Sequence, residues 1–356
     1  MEPAFAVSGK NLELHGSVSN RYTDNLLSAE VDEMEDFVTD LSLGFGFVKE
    51  EQTFDFSFIG YISQEIYGEY TQFNNTSEDL NFSFHKTFSK QTTLEITHDF
   101  RHAEQPEDFE DAFGRTTGLY SYYDNELSIS LQHDLSKSNN ITMEYSAEYY
   151  DLDRQDINSS LYHEAGLTWR HNRSLKTAFL AEYEFVNRDF IGGNDYSAHS
   201  ALTGVERWLT SQVLLEIKGG SSFIETFTGD SKVRPKMEIR LTDDLSERTQ
   251  FLFRVVHDYS SKTSKEDLFK RWEYSGRLKH KFSSRINSSC TLFYGTGEFD
   301  GLNLEDDFFG IRARGEYLLS DAMSVFLSYA YTDNNSNDPG REYTKNTVTA
   351  GLDIQF

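Results

Sequence analysis

Side-chain polarity alternates with a period of two along most of this chain, and that alternation restricts the possible folds more than any other feature. In 141–149, Ile141, Met143, Tyr145, Ala147 and Tyr149 alternate with Thr142, Glu144, Ser146 and Glu148. In 53–59, Phe54, Phe56 and Phe58 alternate with Asp55 and Ser57, and in 309–317, Phe309, Ile311, Ala313, Gly315 and Tyr317 alternate with Arg312, Arg314 and Glu316. Successive side chains of a strand point to opposite faces, so each segment reads as a strand with one greasy and one ionic face. A sheet with those properties is satisfied when it closes on itself, with the apolar face towards lipid and the ionic face towards a lumen.

The same pattern predicts about eighteen strands, at 11–23, 37–48, 53–68, 79–88, 92–103, 118–132, 141–151, 160–171, 175–187, 197–208, 213–227, 233–242, 248–260, 268–282, 286–298, 308–318, 323–333 and 343–356. The number is even and each segment is close to the length a tilted strand needs to cross a hydrocarbon layer. The facing of 197–208 and 286–298 is ambiguous. The expected fold is therefore all-β, a transmembrane up-and-down antiparallel β-barrel over 11–356. A soluble β-sandwich is the runner-up, and it leaves the ionic second face of nearly every strand unexplained.

Composition agrees. Hydrophobic residues make up 37% and mean hydropathy is −0.59, which a barrel tolerates because only alternate positions must be apolar. No run reaches the roughly 18 apolar residues of a membrane helix. Residues 1–10 read as a residual signal or N-terminal segment: Ala4-Phe5-Ala6 has the small-x-small form of a signal-peptidase site, and a few native residues fit equally. The single Cys290 makes an internal disulfide impossible, and no Cys/His cluster has metal-ligand spacing.

Connections alternate between short and long, as periplasmic turns and extracellular loops do. Short ones fall at Lys49–Gln52, Ser89–Gln91, Asp134–Asn140, Asn172–Ser174, Thr210–Gln212, Asp243–Glu247, Ser283–Arg285 and Ser320–Met323. Phe88-Ser89-Lys90, Leu135-Ser136-Lys137, Leu245-Ser246-Glu247, Phe282-Ser283-Ser284 and Leu319-Ser320-Asp321 form a hairpin repeat. Long connections at Leu26–Asp36, Ala103–Thr117, Asn187–Asp195, Phe299–Asp307 and Asp333–Glu342 are acidic, supply much of the net charge of −26, and are expected to face outward. Asp333–Asp338 and Asp151–Asp153 could hold Ca²⁺, but neither has the spacing of a calcium loop, so solvated loop is the preferred reading.

The chain ends on Phe356, with Val348, Ala350, Leu352 and Ile354 on the same parity. This resembles the terminal strand of bacterial outer-membrane β-barrels, in which such a strand is recognised by the barrel-assembly machinery, and the resemblance assigns that role to Leu352, Ile354 and Phe356. The hairpin repeat is also similar to families of β-barrel porins encoded beside exopolysaccharide secretion genes in Gram-negative bacteria. That similarity implies polysaccharide export, with periplasmic export proteins as partners, and it names no catalytic residue.

Consecutive strands form one wall of an up-and-down barrel. The inward parity of the third to ninth strands carries Asp55, Glu95, Asp99, Glu126, Glu144, Glu148, Glu164, Glu182 and Glu184, against Arg101, Arg170 and Lys176. From the twelfth strand onward it carries Arg234, Lys236, Arg240, Arg254, Arg271, Arg277, Lys279, Lys281, Arg312 and Arg314, against Glu238, Asp258, Glu273 and Glu316. An acidic wall facing a basic wall sets a transverse field across a water-filled pore. The alternative is that these charges pair and plug the lumen; an open or partly open pore is preferred because about 16 to 18 strands is the porin size class.

His98-Asp99, His133-Asp134 and His257-Asp258 are neighbours in sequence, so their side chains leave opposite faces and cannot form dyads. No nucleophile elbow or plug domain is present, and an enzyme is not expected. The sequence reads as an outer-membrane channel for hydrophilic solutes, with exopolysaccharide export favoured by resemblance. A passive diffusion porin and a closed structural or adhesin-like barrel are the alternatives. Expected surroundings are outer-membrane lipid and lipopolysaccharide with both termini periplasmic, and no cofactor, metal or nucleic acid.

Overall fold

The computed structural model describes residues 12–104, 109–114, 117–153, 159–191, 195–226, 229–260, 268–299 and 303–356; the segment 1–10 lies outside them. Among these residues the chain forms eighteen strands: β1 (Leu12–Thr23), β2 (Asp36–Glu50), β3 (Phe54–Tyr67), β4 (Asn75–Ser89), β5 (Thr92–Ala103), β6 (Tyr122–Ser136), β7 (Asn139–Leu152), β8 (Ser160–Ser174), β9 (Thr177–Phe190), β10 (Tyr196–Trp208), β11 (Val213–Thr226), β12 (Ser231–Ser246), β13 (Thr249–Ser260), β14 (Phe269–Lys281), β15 (Ile286–Phe299), β16 (Leu304–Ser320), β17 (Met323–Ser336) and β18 (Tyr343–Gln355). One short helix, α1 (Phe109–Ala112), lies between β5 and β6.

Each strand pairs antiparallel with its sequence neighbours, and β1 also pairs with β18, which closes the sheet. The seam sets Ser17 opposite Asp353 and Val18 opposite Leu352. Phe356 completes it: its N–H donates to Leu14 O at 2.8 Å, and Leu14 N–H donates to Phe356 O at 3.3 Å. With β1 paired to β18 the sheet has no free edge strand, the condition for a sheet to sit in hydrocarbon.

The serines of the hairpin repeat have a local task. Ser89, Ser136, Ser174, Ser246, Ser283 and Ser320 each accept at Oγ, 3.1 to 3.3 Å from the backbone N–H two residues on. A hydroxyl that satisfies the second N–H of a tight reversal stabilises a very short turn. Hence β6 and β7 are joined by Lys137 and Ser138 alone, and β12 and β13 by Glu247 and Arg248 alone, tighter than the expected Asp134–Asn140 and Asp243–Glu247. All such turns lie at one end with both described chain ends, and the longer loops lie at the other.

Several strands run beyond their expected limits: β4 begins at Asn75 rather than 79, β12 spans Ser231–Ser246 rather than 233–242, and β16 begins at Leu304 rather than 308. Apart from Leu245 and Leu304 the added residues are polar, so alternation fades there while the strand continues. Asp333–Ser336 likewise belong to β17, and Asp338 accepts from Gly340 N–H at 3.0 Å to cap a 3-10 turn. Among the described residues no group of three or more His, Cys, Asp or Glu side chains lies together as metal ligands would.

Facing follows the registers. Leu43, Leu14, Leu327 and Phe45 are exposed on the outer wall at 69%, 51%, 59% and 43%, an apolar belt suited to lipid. On the ambiguous segments, Ser200 and Leu202 of β10 and Phe293 and Gly295 of β15 face inward. His98 and His133 lie outward while Asp99 and Asp134 lie inward, and His257 stacks on Trp272 of the outer wall at 4.2 Å between centroids.

Candidate pore and its constriction

A central feature of the lumen is the connection between β5 and β6. It was expected to face outward, and its middle instead turns into the barrel. Phe113 packs on Phe269 at 5.0 Å and Phe293 at 5.8 Å between ring centroids, and Phe109 packs on Phe308 at 6.2 Å. These partners belong to the inner faces of β14, β15 and β16, on the far side of the barrel from β5. Two inward glycines make the seat: a Cβ on Gly295 would lie 2.7 Å from the Phe113 ring, and one on Gly310 would lie 2.7 Å from the Phe109 ring. Any larger side chain at either position displaces a ring. Burial of these aromatics against Phe299 and Phe308 supplies the apolar drive that holds the segment inside.

Beside this segment lies a cavity of about 490 Å³ whose lining reaches from β5 to β15. It is lined by nine carboxylates (Asp124, Glu126, Glu148, Glu164, Glu182, Glu184, Glu238, Asp258, Glu273) and six cations (Arg101, Arg188, Lys218, Lys236, Arg254, Arg271), with Tyr122, Tyr150, Tyr162 and Tyr196 among the rings.

Charge in this cavity is held in pairs, because a buried ion without a partner is costly. Lys236 Nζ lies 2.6 Å from Glu184 and 3.4 Å from Asp258. Lys218 Nζ lies 3.1 Å from Glu182 and 3.0 Å from Glu238, which also takes Arg254 at 2.9 Å. Arg188 donates to Glu148 at 2.8 Å and to Ser160 at 3.1 Å while lying over the Tyr162 ring. Arg101 reaches Asp79 at 3.2 Å, and Arg271 reaches Glu273 at 2.9 Å. At the root of the infolded loop, burial pushes the Glu104 carboxyl above its usual range, opposed by a hydrogen bond from Asn75.

All sixteen pore-lining residues singled out from the sequence lie on the inner face in these registers. Glu148, Glu164, Glu182, Glu184, Lys236 and Arg254 line the cavity. Asp55, Glu95, Asp99 and Glu144 lie outside its lining, as do Arg240, Arg277, Lys279, Arg312 and Arg314, and Arg234 lies over Tyr259. In a ring of eighteen strands, β5 faces β14 and β7 faces β16. Glu95 and Asp99 therefore look towards Arg277 and Lys279, and Glu144 towards Arg312 and Arg314. The two walls meet through Lys236 and Lys218, where the signs interlock.

Sequence reasoning missed the seat of the infolded segment and the clamps on Lys218 and Arg188. Glycine at inward positions of adjacent strands, Gly295 and Gly297 on β15 and Gly310 on β16, is a usable signal, since inner-face glycine leaves room for something else.

A closed eighteen-stranded ring with an apolar outer belt, a charged interior and short turns gathered at one end is an outer-membrane β-barrel of porin architecture. Residues 269–356 match the family described as "Putative beta-barrel porin 2". Among solved structures, OccK2 (OpdF) of Pseudomonas aeruginosa is similar with a TM-score of 0.54 at 8% identity, covering 97% of this chain and 98% of that one. OpdK of Pseudomonas aeruginosa with vanillate has a TM-score of 0.51 at 8% identity, covering 97% and 99%. OccK2 in complex with glucuronate has a TM-score of 0.50 at 8% identity, covering 97% and 96%. At these identities the likeness is one of fold. No curated protein matches the sequence. Fold and family match point to a channel rather than an enzyme.

Proposed function

We propose that this chain is a passive outer-membrane diffusion channel for small polar solutes, narrowed by the connection between β5 and β6. The observation that carries this reading is the infolded segment itself: Phe109 and Phe113 sit across the lumen on Gly310 and Gly295, beside a charged cavity of about 490 Å³. A barrel of this strand number has room for an aqueous path, and a segment laid across it sets the limiting width. The likeness to OccK2 and OpdK supports a diffusion channel. Neither they nor the family match supports polysaccharide export. The gathering of short turns at the end that holds both described chain ends supports periplasmic termini, since short turns mark the periplasmic end in barrels of this class.

The paired charges favour one second reading, a closed structural barrel whose lumen is plugged. Single-channel recording in planar bilayers separates the two. The wild-type protein should give discrete conductance steps, and removal of Phe109–Gly114, or Gly310→Leu, should enlarge them. A silent wild type together with a silent deletion variant, both correctly inserted, would establish the closed barrel.

A further inference from the structure

We propose that the outer rim of the short-turn end binds the phosphate groups of anionic glycerophospholipids, whether the lumen conducts or is plugged. The donors recur at one place in successive hairpins. Three residues before the turn Ser or Thr, on the outer face, stand Lys86, His133, His171, Arg207 and His280. Asp243 and Tyr317 take that place in two further hairpins. The three histidines are anchored alike: Nδ1 of His133 lies 2.9 Å from Thr92 Oγ1, Nδ1 of His171 lies 3.0 Å from Asn139 Oδ1, and Nδ1 of His280 lies 2.8 Å from Thr249 Oγ1. Each partner is the residue directly opposite on the preceding strand. Where a threonine hydroxyl donates to Nδ1, the neutral ring carries its proton on Nε2; where Asn139 Oδ1 accepts, the protonated ring offers Nε2–H. Among the described residues no carboxylate pairs with any of the five donors, so they remain open to an outside phosphate.

A lipid leaflet is the partner that fits. The donors are spread from β4 to β14 at one level of the outer wall, and the phosphates of a bilayer surface lie at one depth around the whole circumference, whereas a protein would meet one sector. Closer to the turns, Phe88, Leu135, Leu209 and Phe282 are exposed at 61%, 55%, 49% and 62%. These side chains are covered when the interfacial layer extends past them, which sets the donor row at the depth of the phosphates. At the opposite rim the outer wall carries exposed Asp189, Glu225, Glu305 and Asp307, which repel anionic headgroups. Short turns mark the periplasmic end, whose leaflet is glycerophospholipid; the proposal rests on that orientation, which cysteine labelling tests separately.

Trp169 serves as the reporter, since it lies on the same face of β8 with its ring 5.7 Å from that of His171. The test uses the full-length chain in phosphatidylcholine vesicles, with Trp208→Phe/Trp272→Phe leaving Trp169 as the one indole. Brominated phosphatidylglycerol should quench Trp169 about fivefold more effectively than brominated phosphatidylcholine, the scale for one cation beside anionic lipid. The preference should weaken in about 1 M salt, where the Debye length is about 3 Å. Inorganic phosphate should compete no better than chloride at equal ionic strength. His171→Gln/Arg207→Gln should bring the two lipids towards equality, and if that variant does not insert, Arg207→Gln alone should move the ratio in the same direction. Equal quenching by the two lipids in the parent protein, or a preference that persists in the inserted variants, overturns the proposal. Competition by free phosphate overturns the assignment to a lipid headgroup. Weak quenching by both lipids would mean that protein, such as a second copy of this chain, covers the rim, and overturns it equally.

Discussion

Lys236 Nζ on β12 lies 2.6 Å from Glu184 on β9, reaching across two intervening strands. The reach is possible because the inner positions beneath it are small: Ser200 on β10, and Gly220 and Ser222 on β11. Ser200 and Ser222 are buried under the pair and bonded to each other at 3.1 Å. Glu184→Ala leaves the ammonium with Asp258 alone and should destabilise the barrel by about 3 kcal/mol, the scale for breaking a buried pair. Urea unfolding in vesicles measures this. The double variant Glu184→Met/Lys236→Met should recover much of the loss, and a double variant as unstable as the single would count against the pair.

The facing of β12 can be checked one residue at a time. Ile239 pairs laterally with Ile217 and Val255 on the outer wall, whereas Arg240 pairs with Arg254 and Glu216 on the inner wall. Ile239→Arg should cost about 2 to 4 kcal/mol near the midplane, and Phe56→Arg should behave alike. Arg240→Gln should leave folding unchanged. The reverse pattern would mean that the strand is shifted by one residue.

Removal of Phe356 takes away both backbone bonds to Leu14 at the closing seam. The truncated chain should give less heat-modifiable, membrane-inserted protein on semi-native gels. Normal insertion would show that neither the seam nor the resemblance of Leu352, Ile354 and Phe356 to a recognised terminus matters for assembly.

On the basic wall, Arg240, Arg277, Lys279, Arg312 and Arg314 exchanged together for Gln should move reversal potentials towards cations without loss of insertion, because inner-face changes tune selectivity rather than stability. Unchanged potentials in a conducting variant would exclude a role for this wall.

Topology is open to labelling in a Cys290→Ser background. A cysteine at exposed Glu30, in the connection between β1 and β2, should react in whole cells with a membrane-impermeant maleimide, and one at exposed Glu247, in the turn between β12 and β13, only after permeabilisation. The opposite result would place the termini outside.

Alternation along the chain by itself determined the fold class, the strand count and, outside 197–208 and 286–298, the inward side of the charged residues singled out on the strands. Phe56 and Asp55, or Ile239 and Arg240, take opposite faces because a strand has a side-chain period of two, and that rule is local. Ser136 and Ser246 marked reversals for a reason equally local, a hydroxyl accepting from an N–H two residues away. Strand ends were less legible, since at Asn75 and Asp306 the ladder outlasts the alternation. What only the tertiary structure decided is who meets whom across the lumen. The pairs Lys236 with Glu184 and Arg188 with Glu148 lie 52 and 40 residues apart, and Phe113 reaches Gly295 on the far wall. These contacts depend on closure, on strand register and on where small inner residues leave space, none of which is encoded in the period of any single strand.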